Sequence, residues 1–133
     1  MPGHNIQFLL VDPDVYAHPL VHESISSLGL GRVMGVANLR EALIALGTGA
    51  VHFVICDWSA DPGPELGFLK LMKSQEAYRF IPFLMTAWPQ KNENDRVRRA
   101  ALGGADGYLL KPYDSEQLSK AIEDVLSRYP TLT

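Results

Sequence analysis

The chain has a single cysteine, Cys56, among its 133 residues. No internal disulfide and no multi-cysteine metal site can form, and the reducing cytoplasm is the expected compartment. A small buried hydrophobe is the expected role for Cys56. No apolar run approaches the roughly 20 residues that a bilayer-spanning helix needs. The opening MPGHNIQFLL has neither the basic stretch nor the small-residue cleavage pattern of a secretory leader. Excess charge of either sign is also missing. A net charge of −3, from 12 Lys and Arg against 15 Asp and Glu, gives no electrostatic reason for nucleic acid or a membrane as principal partner. Neither GxGxxG nor a P-loop follows the first apolar run, which argues against a nucleotide-binding enzyme. Internal repeats, low-complexity tracts and linker-like segments are lacking.

What is present is the composition of a soluble globular protein, 47% hydrophobic and 20% charged. The length suits one well-buried core and is too short for two ordinary domains, so residues 1–133 are expected to form a single domain. Short apolar runs rich in branched and aromatic residues alternate with segments of helical period. IQFLLV (6–11), GRVMGV (31–36), VHFVIC (51–56), IPFLMT (81–86) and GYLL (107–110) read as strands. The helical segments between and after them carry their own punctuation. Gly29 stops the first, in which Leu20, Val21, Ile25 and Leu28 are apolar. Asn38 is a plausible N-cap and Gly47 an end for the second. Leu66, Leu69 and Met72 share a face of the third, and the fourth closes on two glycines. Asp114 and Gln117 stand at capping-box spacing before the fifth, which continues with Leu118, Ile122, Val125 and Leu126. Five βα units in a row predict an α/β fold: a five-stranded parallel sheet, doubly wound, with helices on both faces.

In such a sheet the C-terminal ends of all strands share one edge, where ligands bind. Four of the apolar runs end there in a polar residue: LLVD in Asp12, VICD in Asp57, FLMT in Thr86 and YLLK in Lys111. Each alone is an ordinary end to a strand. Together they bring two acids, a hydroxyl and an amine to a single crevice, a set suited to a divalent cation and a phosphoryl group.

These anchors, with FLLVD, VICDW, IPFLMTA and GADGYLLKPYDSEQL as their settings, resemble the response-regulator receiver domains of two-component signalling, of the chemotaxis CheY type. The resemblance covers about residues 5–128 and implies the flavodoxin-like (βα)5 sandwich. It implies that Asp57 accepts a phosphoryl group from a histidine kinase or phosphotransfer protein, with Mg²⁺ bound beside it. Thr86 would bond the phosphoryl oxygens, Lys111 would pair with them, and Tyr108 would be the aromatic that turns inward on activation. The surface formed by the fourth helix, fifth strand and fifth helix would then change its affinity for a downstream protein or output domain. Asp12, Asp57 and the backbone carbonyl of Ser59 would be the metal ligands. A receiver of this kind is a switch, not an enzyme, beyond catalysing its own phosphorylation and dephosphorylation.

Two departures accompany the match. The family's adjacent pair of acids after the first strand is here Asp12-Pro13-Asp14. Proline offers no side-chain ligand, so weaker Mg²⁺ binding is expected unless Asp14 reaches the ion. Pro62 and Gly67 lie further along than the family's proline and glycine, as a two-residue insertion after Asp57 would place them. Trp88, two residues past Thr86, either screens the phosphoryl group or packs over the start of the fourth helix. Pro19 suits only the first turn of its helix. His18 and His22 have the i, i+4 spacing of a helical metal pair, but a solvated face is the plainer expectation. The same holds for Arg96, Arg98 and Arg99, whose alternative is an acidic partner. His4 and His52 are expected to be structural or incidental. Two other functions stay open: a degenerate receiver that binds partners without phosphorylation, and a haloacid dehalogenase-type phosphatase. The phosphatase would use LLVDPDVY, with Asp12 as nucleophile, but the chain lacks that family's later acidic pair.

Overall fold

The computed structural model describes residues 5–61 and 66–132. His4 and Pro62, with the insertion inferred from Pro62, lie outside them. Ten regular elements alternate: β1 (Ile6–Val11), α1 (His18–Ser27), β2 (Gly31–Val36), α2 (Leu39–Gly47), β3 (Phe53–Asp57), α3 (Gly67–Ser74), β4 (Phe83–Ala87), α4 (Glu93–Gly103), β5 (Gly107–Leu110) and α5 (Ser115–Leu126). The strands form one parallel sheet in the order β2-β1-β3-β4-β5.

Side chains alternate across that sheet and build two apolar layers. Phe8, Leu10, Phe53, Ile55 and Leu84 pack against Val21 and Ile25 of α1 and Leu118 and Ile122 of α5. Leu9, Val11, Val54, Cys56 and Met85 face the other way, onto Ala42 and Leu46 of α2, Leu69 and Met72 of α3 and Ala100 of α4. The central strands, buried on both faces, are therefore almost wholly apolar, which is why a carboxylate at the end of β3 stands out.

Several local signals act as the residue types predict. Asn38 accepts from the amide of Glu41 at the start of α2, and Asp114 and Gln117 form the reciprocal capping box of α5. Pro19 lies in the first turn of α1, where its missing N–H costs nothing. Gly104 ends α4 in the left-handed region, with φ +104°.

Two strands begin later than the apolar runs suggest. β3 starts at Phe53: at His52 the backbone amide still donates to the Gln7 carbonyl at 2.8 Å, but the Gln7 amide turns to the His52 ring, whose Nδ1 accepts it at 2.9 Å. β4 starts at Phe83 because Pro82 has no N–H to donate. At the other end both strands reach one residue further, Asp57 pairing with Thr86 and Ala87 with Leu110, so that Asp57 and Ala87 are themselves strand residues.

β2 meets β1 through a glycine that has no substitute. Gly31 has φ +152°, and a Cβ there would lie 1.9 Å from the carbonyl oxygen of Ile6. Gly31→Ala is therefore expected to lower stability by about 2 kcal/mol or more, through backbone strain and overpacking. The midpoint of urea unfolding measures this, and an unchanged midpoint would contradict it.

Candidate functional site

The parallel topology carries Asp12, Asp57, Thr86 and Lys111 to one edge, and all four side chains are buried there. Backbone bonds fix the two outer ones: the Asp12 amide donates to Val36 at 3.0 Å and the Lys111 amide to Ala87 at 2.8 Å. Asp57 and Thr86 are direct partners in the β3–β4 register.

The Lys111 ammonium bridges the acids, at 2.7 Å from Asp12 Oδ2 and 3.0 Å from Asp57 Oδ1. Thr86 Oγ1 donates to the same Asp57 Oδ1 at 2.9 Å. Asp57 Oδ2 accepts from the Ser59 hydroxyl at 2.6 Å and the Ser59 amide at 3.1 Å. Burial pushes the Asp57 carboxyl up, but the bonds from Ser59 and Lys111 outweigh it and hold the group below its usual range. Burial likewise opposes the Lys111 charge, while Asp12 and Asp57 more than compensate and raise its pKa.

Both strand-ending acids use the same local device. Each carboxylate accepts from the amide two residues on, Asp12 from Asp14 at 2.9 Å and Asp57 from Ser59. This is the Asx turn, in which the middle residue need not donate, so Pro13 is accommodated as well as Trp58. Asp14 itself points onward: its Oδ1 accepts from the Tyr16 amide at 3.1 Å. The structure thus gathers Asp12 and Asp57 with Thr86 and Lys111, and directs Asp14 to the next turn. Ser59 joins them through its amide and hydroxyl.

Among the described residues no three His, Cys, Asp or Glu side chains converge as a protein-only metal cage would require. Two buried carboxylates nevertheless share one ammonium, which leaves a surplus negative charge on hard oxygen donors. Mg²⁺ suits such a set, since it commonly takes one or two carboxylates and keeps waters or phosphate oxygens for the rest.

Three sequence expectations are corrected around this centre. His18 is not on a solvated face: its Nε2 lies 2.9 Å from the Asp12 carbonyl, and its ring packs so closely on β2 that a Cβ on Gly35 would meet Nδ1 at 2.5 Å. His22 alone is exposed. Arg96 is not on a solvated face either. It is buried, lies 4.3 Å from the Trp58 ring centre, donates to the Trp88 carbonyl at 3.1 Å and is 3.7 Å from Glu93. Arg99 also faces Trp58, at 5.3 Å, and only Arg98 is largely exposed, paired with Asp95. Guanidinium groups stack on an indole face because its quadrupole attracts them, so these basic residues have an internal partner.

Trp58 connects that cluster to Tyr108, whose ring meets it edge-on at 6.4 Å. Burial and the neighbouring Glu93 carboxylate push the Tyr108 phenol well above its usual range. Trp88 is half exposed, with its ring centre 6.0 Å from the Lys111 ammonium.

Sequence reasoning missed the Ser59 hydroxyl and Asp61. The buried Asp61 accepts from the amides of Phe68 and Leu69 and so secures the first turn of α3. The spacing Asp-x-Ser was the available signal for Ser59; Asp61 had none, because its partners, the amides of Phe68 and Leu69, are too far along the chain for a local turn. Cys56 is buried, as expected, and burial followed by the Asp61 charge pushes its thiol well above its usual range.

The model of the response regulator receiver domain matches residues 8–123. The chain belongs to that family. It is 26% identical to chemotaxis protein CheY-3 of Vibrio cholerae over 124 residues, covering 93% of this chain and 94% of the relative. Chemotaxis protein CheY of Pseudomonas aeruginosa is 24% identical over 123 residues, with 92% and 98% covered. The structure of chemotaxis response regulator CheY4 of Vibrio cholerae superposes with a TM-score of 0.80 at 26% identity, covering 92% of this chain and 99% of that one. This receiver is CheY-like in fold across nearly its whole length, and no helix among its described residues is long and apolar enough to cross a membrane.

Proposed function

We propose that this receiver is a phosphorylatable switch in which Asp57 accepts a phosphoryl group from a histidine kinase or phosphotransfer protein. The observation that carries the reading is the bridged pair: one buried lysine touching both Asp57 and Asp12, with Thr86 on the same Asp57 oxygen. Bonds to Ser59 and Lys111 keep Asp57 ionised, as a nucleophile must be. Phosphoryl transfer needs positioned donors for the charge spread over the equatorial oxygens, and Lys111 and Thr86 are such donors.

Asp12 and Asp57 would hold Mg²⁺, which when bound neutralises charge on the transferring group. Asp14 is turned to Tyr16 and Pro13 has no side-chain ligand atom, so the site has one carboxylate fewer than the family's usual set. Addition of the phosphoryl group would redistribute the bonds that Thr86 makes. Tyr108, on the adjacent strand and in contact with Trp58, would carry the change to the face formed by α4, β5 and α5 and so to a downstream protein or output domain.

The test is incubation of the chain with acetyl phosphate and Mg²⁺ followed by intact mass measurement. A gain of one phosphoryl group per chain is the expected result. No gain, under conditions where a control receiver is modified, would favour the degenerate receiver that binds partners without phosphorylation.

A further inference from the structure

Asp12 and Asp57 follow adjacent strands, but only Asp57 is held by a ladder. It pairs with Thr86 in the β3–β4 register, whereas β1 pairs with its neighbours no further than Val11. Asp12 therefore stands just past the end of β1, and Pro13 after it has no N–H to help fix the turn. Two bonds from the main chain of Asp12 take the ladder's place. Its amide donates to the Val36 carbonyl at 3.0 Å, on the β2 side. Its carbonyl meets His18 Nε2 at 2.9 Å, and because a carbonyl only accepts, Nε2 carries the hydrogen.

The room for that ring comes from β2. Gly35 lies within the strand, where glycine adds flexibility and no packing, and its φ is outside the positive range that demands glycine. It is exposed, so no crowded core calls for a small residue there either. The three atoms nearest to a Cβ built on Gly35 all belong to His18: Nδ1 at 2.5 Å, Cε1 at 3.1 Å and Cγ at 3.4 Å. The ring beside it thus accounts for the glycine. An alanine here would push the ring off its line to the Asp12 carbonyl.

From this pairing we infer that His18, seated by Gly35, is a positioning residue that sets the direction of the Asp12 carboxylate. That carboxylate accepts from the Asp14 amide at 2.9 Å with one oxygen and from Lys111 at 2.7 Å with the other, so rotation of its backbone would disturb both bonds. With Pro13 in place of a second acid, Asp12 bears a larger share of the Mg²⁺ site and its aim matters more. Removing a group that orients a metal-ligating side chain typically costs about 10–100-fold in metal affinity. The inference rests on the reading in which Asp12 and Asp57 hold Mg²⁺.

Mg²⁺ titration followed by tryptophan fluorescence tests it, since Trp58 directly follows Asp57 and the Trp88 ring centre lies 6.0 Å from the Lys111 ammonium. His18→Ala should raise the Kd about tenfold. His18→Gln, whose amide can donate from the place of Nε2, should hold it within about threefold of wild type. Gly35→Ala alone should also raise it about tenfold, yet add less than about twofold in the His18→Ala background, where the ring is gone. Should His18→Ala not fold, as its urea midpoint would show, the contrast between His18→Gln and Gly35→Ala carries the test. A Kd in His18→Ala within about twofold of wild type, or effects that multiply to about a hundredfold in the double variant, would overturn the role of His18 and leave the metal site standing. A loss in His18→Gln as large as in His18→Ala would do the same. No Mg²⁺ binding by the wild-type chain, by fluorescence and by calorimetry, would overturn the metal site itself and the role of His18 with it.

Discussion

Lys111→Met should lower the free energy of unfolding at neutral pH by about 3–5 kcal/mol, the usual cost of removing one member of a buried ion pair. The methionine fills similar space but leaves Asp12 and Asp57 buried together with no cation between them. Two adjacent carboxylates cannot both stay ionised in such a place, and one of them must bind a proton more tightly than in the unfolded chain. The pH dependence therefore changes sign. In the wild type the Asp57 pKa is depressed, so its contribution is present above the unfolded carboxyl value of about 4 and is lost as pH falls through the lower folded value. In the variant one carboxyl is raised, so stability is recovered as pH falls from about 7 toward 5. Urea unfolding at these two pH values should show the gap between the proteins narrowing under acid. A variant within about 1 kcal/mol of wild type at neutral pH would mean that the bridge contributes little.

Asp57→Asn should abolish the mass gain from acetyl phosphate while the chain remains folded. The amide keeps the shape of the carboxylate and can still accept at its oxygen, but it has no charge with which to attack phosphorus. Because the substitution also relieves the burial of one anion, loss of modification cannot be ascribed to unfolding if the urea midpoint holds or rises. Residual phosphorylation mapped to Asp12 or Asp14 would instead bring back the alternative in which the DPD segment supplies the nucleophile.

The architecture was largely legible because burial on both faces leaves a strong mark: β1, β2 and β5 coincide with the runs at 6–11, 31–36 and 107–110. The four polar ends were legible for the same reason, since a carboxylate or ammonium at the edge of an apolar run has few solvated neighbours to explain it. Arg96 and His18 were not. Each sits at a helical position where a charged or polar residue ordinarily meets water, and only packing decides otherwise. Arg96 is drawn in by Trp58, in the 3-10 turn after β3, and His18 by the backbone carbonyl of Asp12. Neither partner can be inferred from periodicity along one helix. The Ser59 hydroxyl falls between these cases, because its spacing from Asp57 is local but its rotamer is set by the site.

Lys111 is separated from Asp12 by 99 positions, yet their side chains meet at 2.7 Å. The candidate site is thus closed by a contact across 99 positions, and a contact of that separation carries a loop-closure cost that local pairing does not. On the ribosome, the first three strands emerge well before the fifth, so a nascent chain holds both acids for some time without their cation. Assembly of the site and completion of the sheet then arrive as one event: until β5 pairs with β4, a chain has Asp12 and Asp57 in its sequence but not the lysine that bridges them.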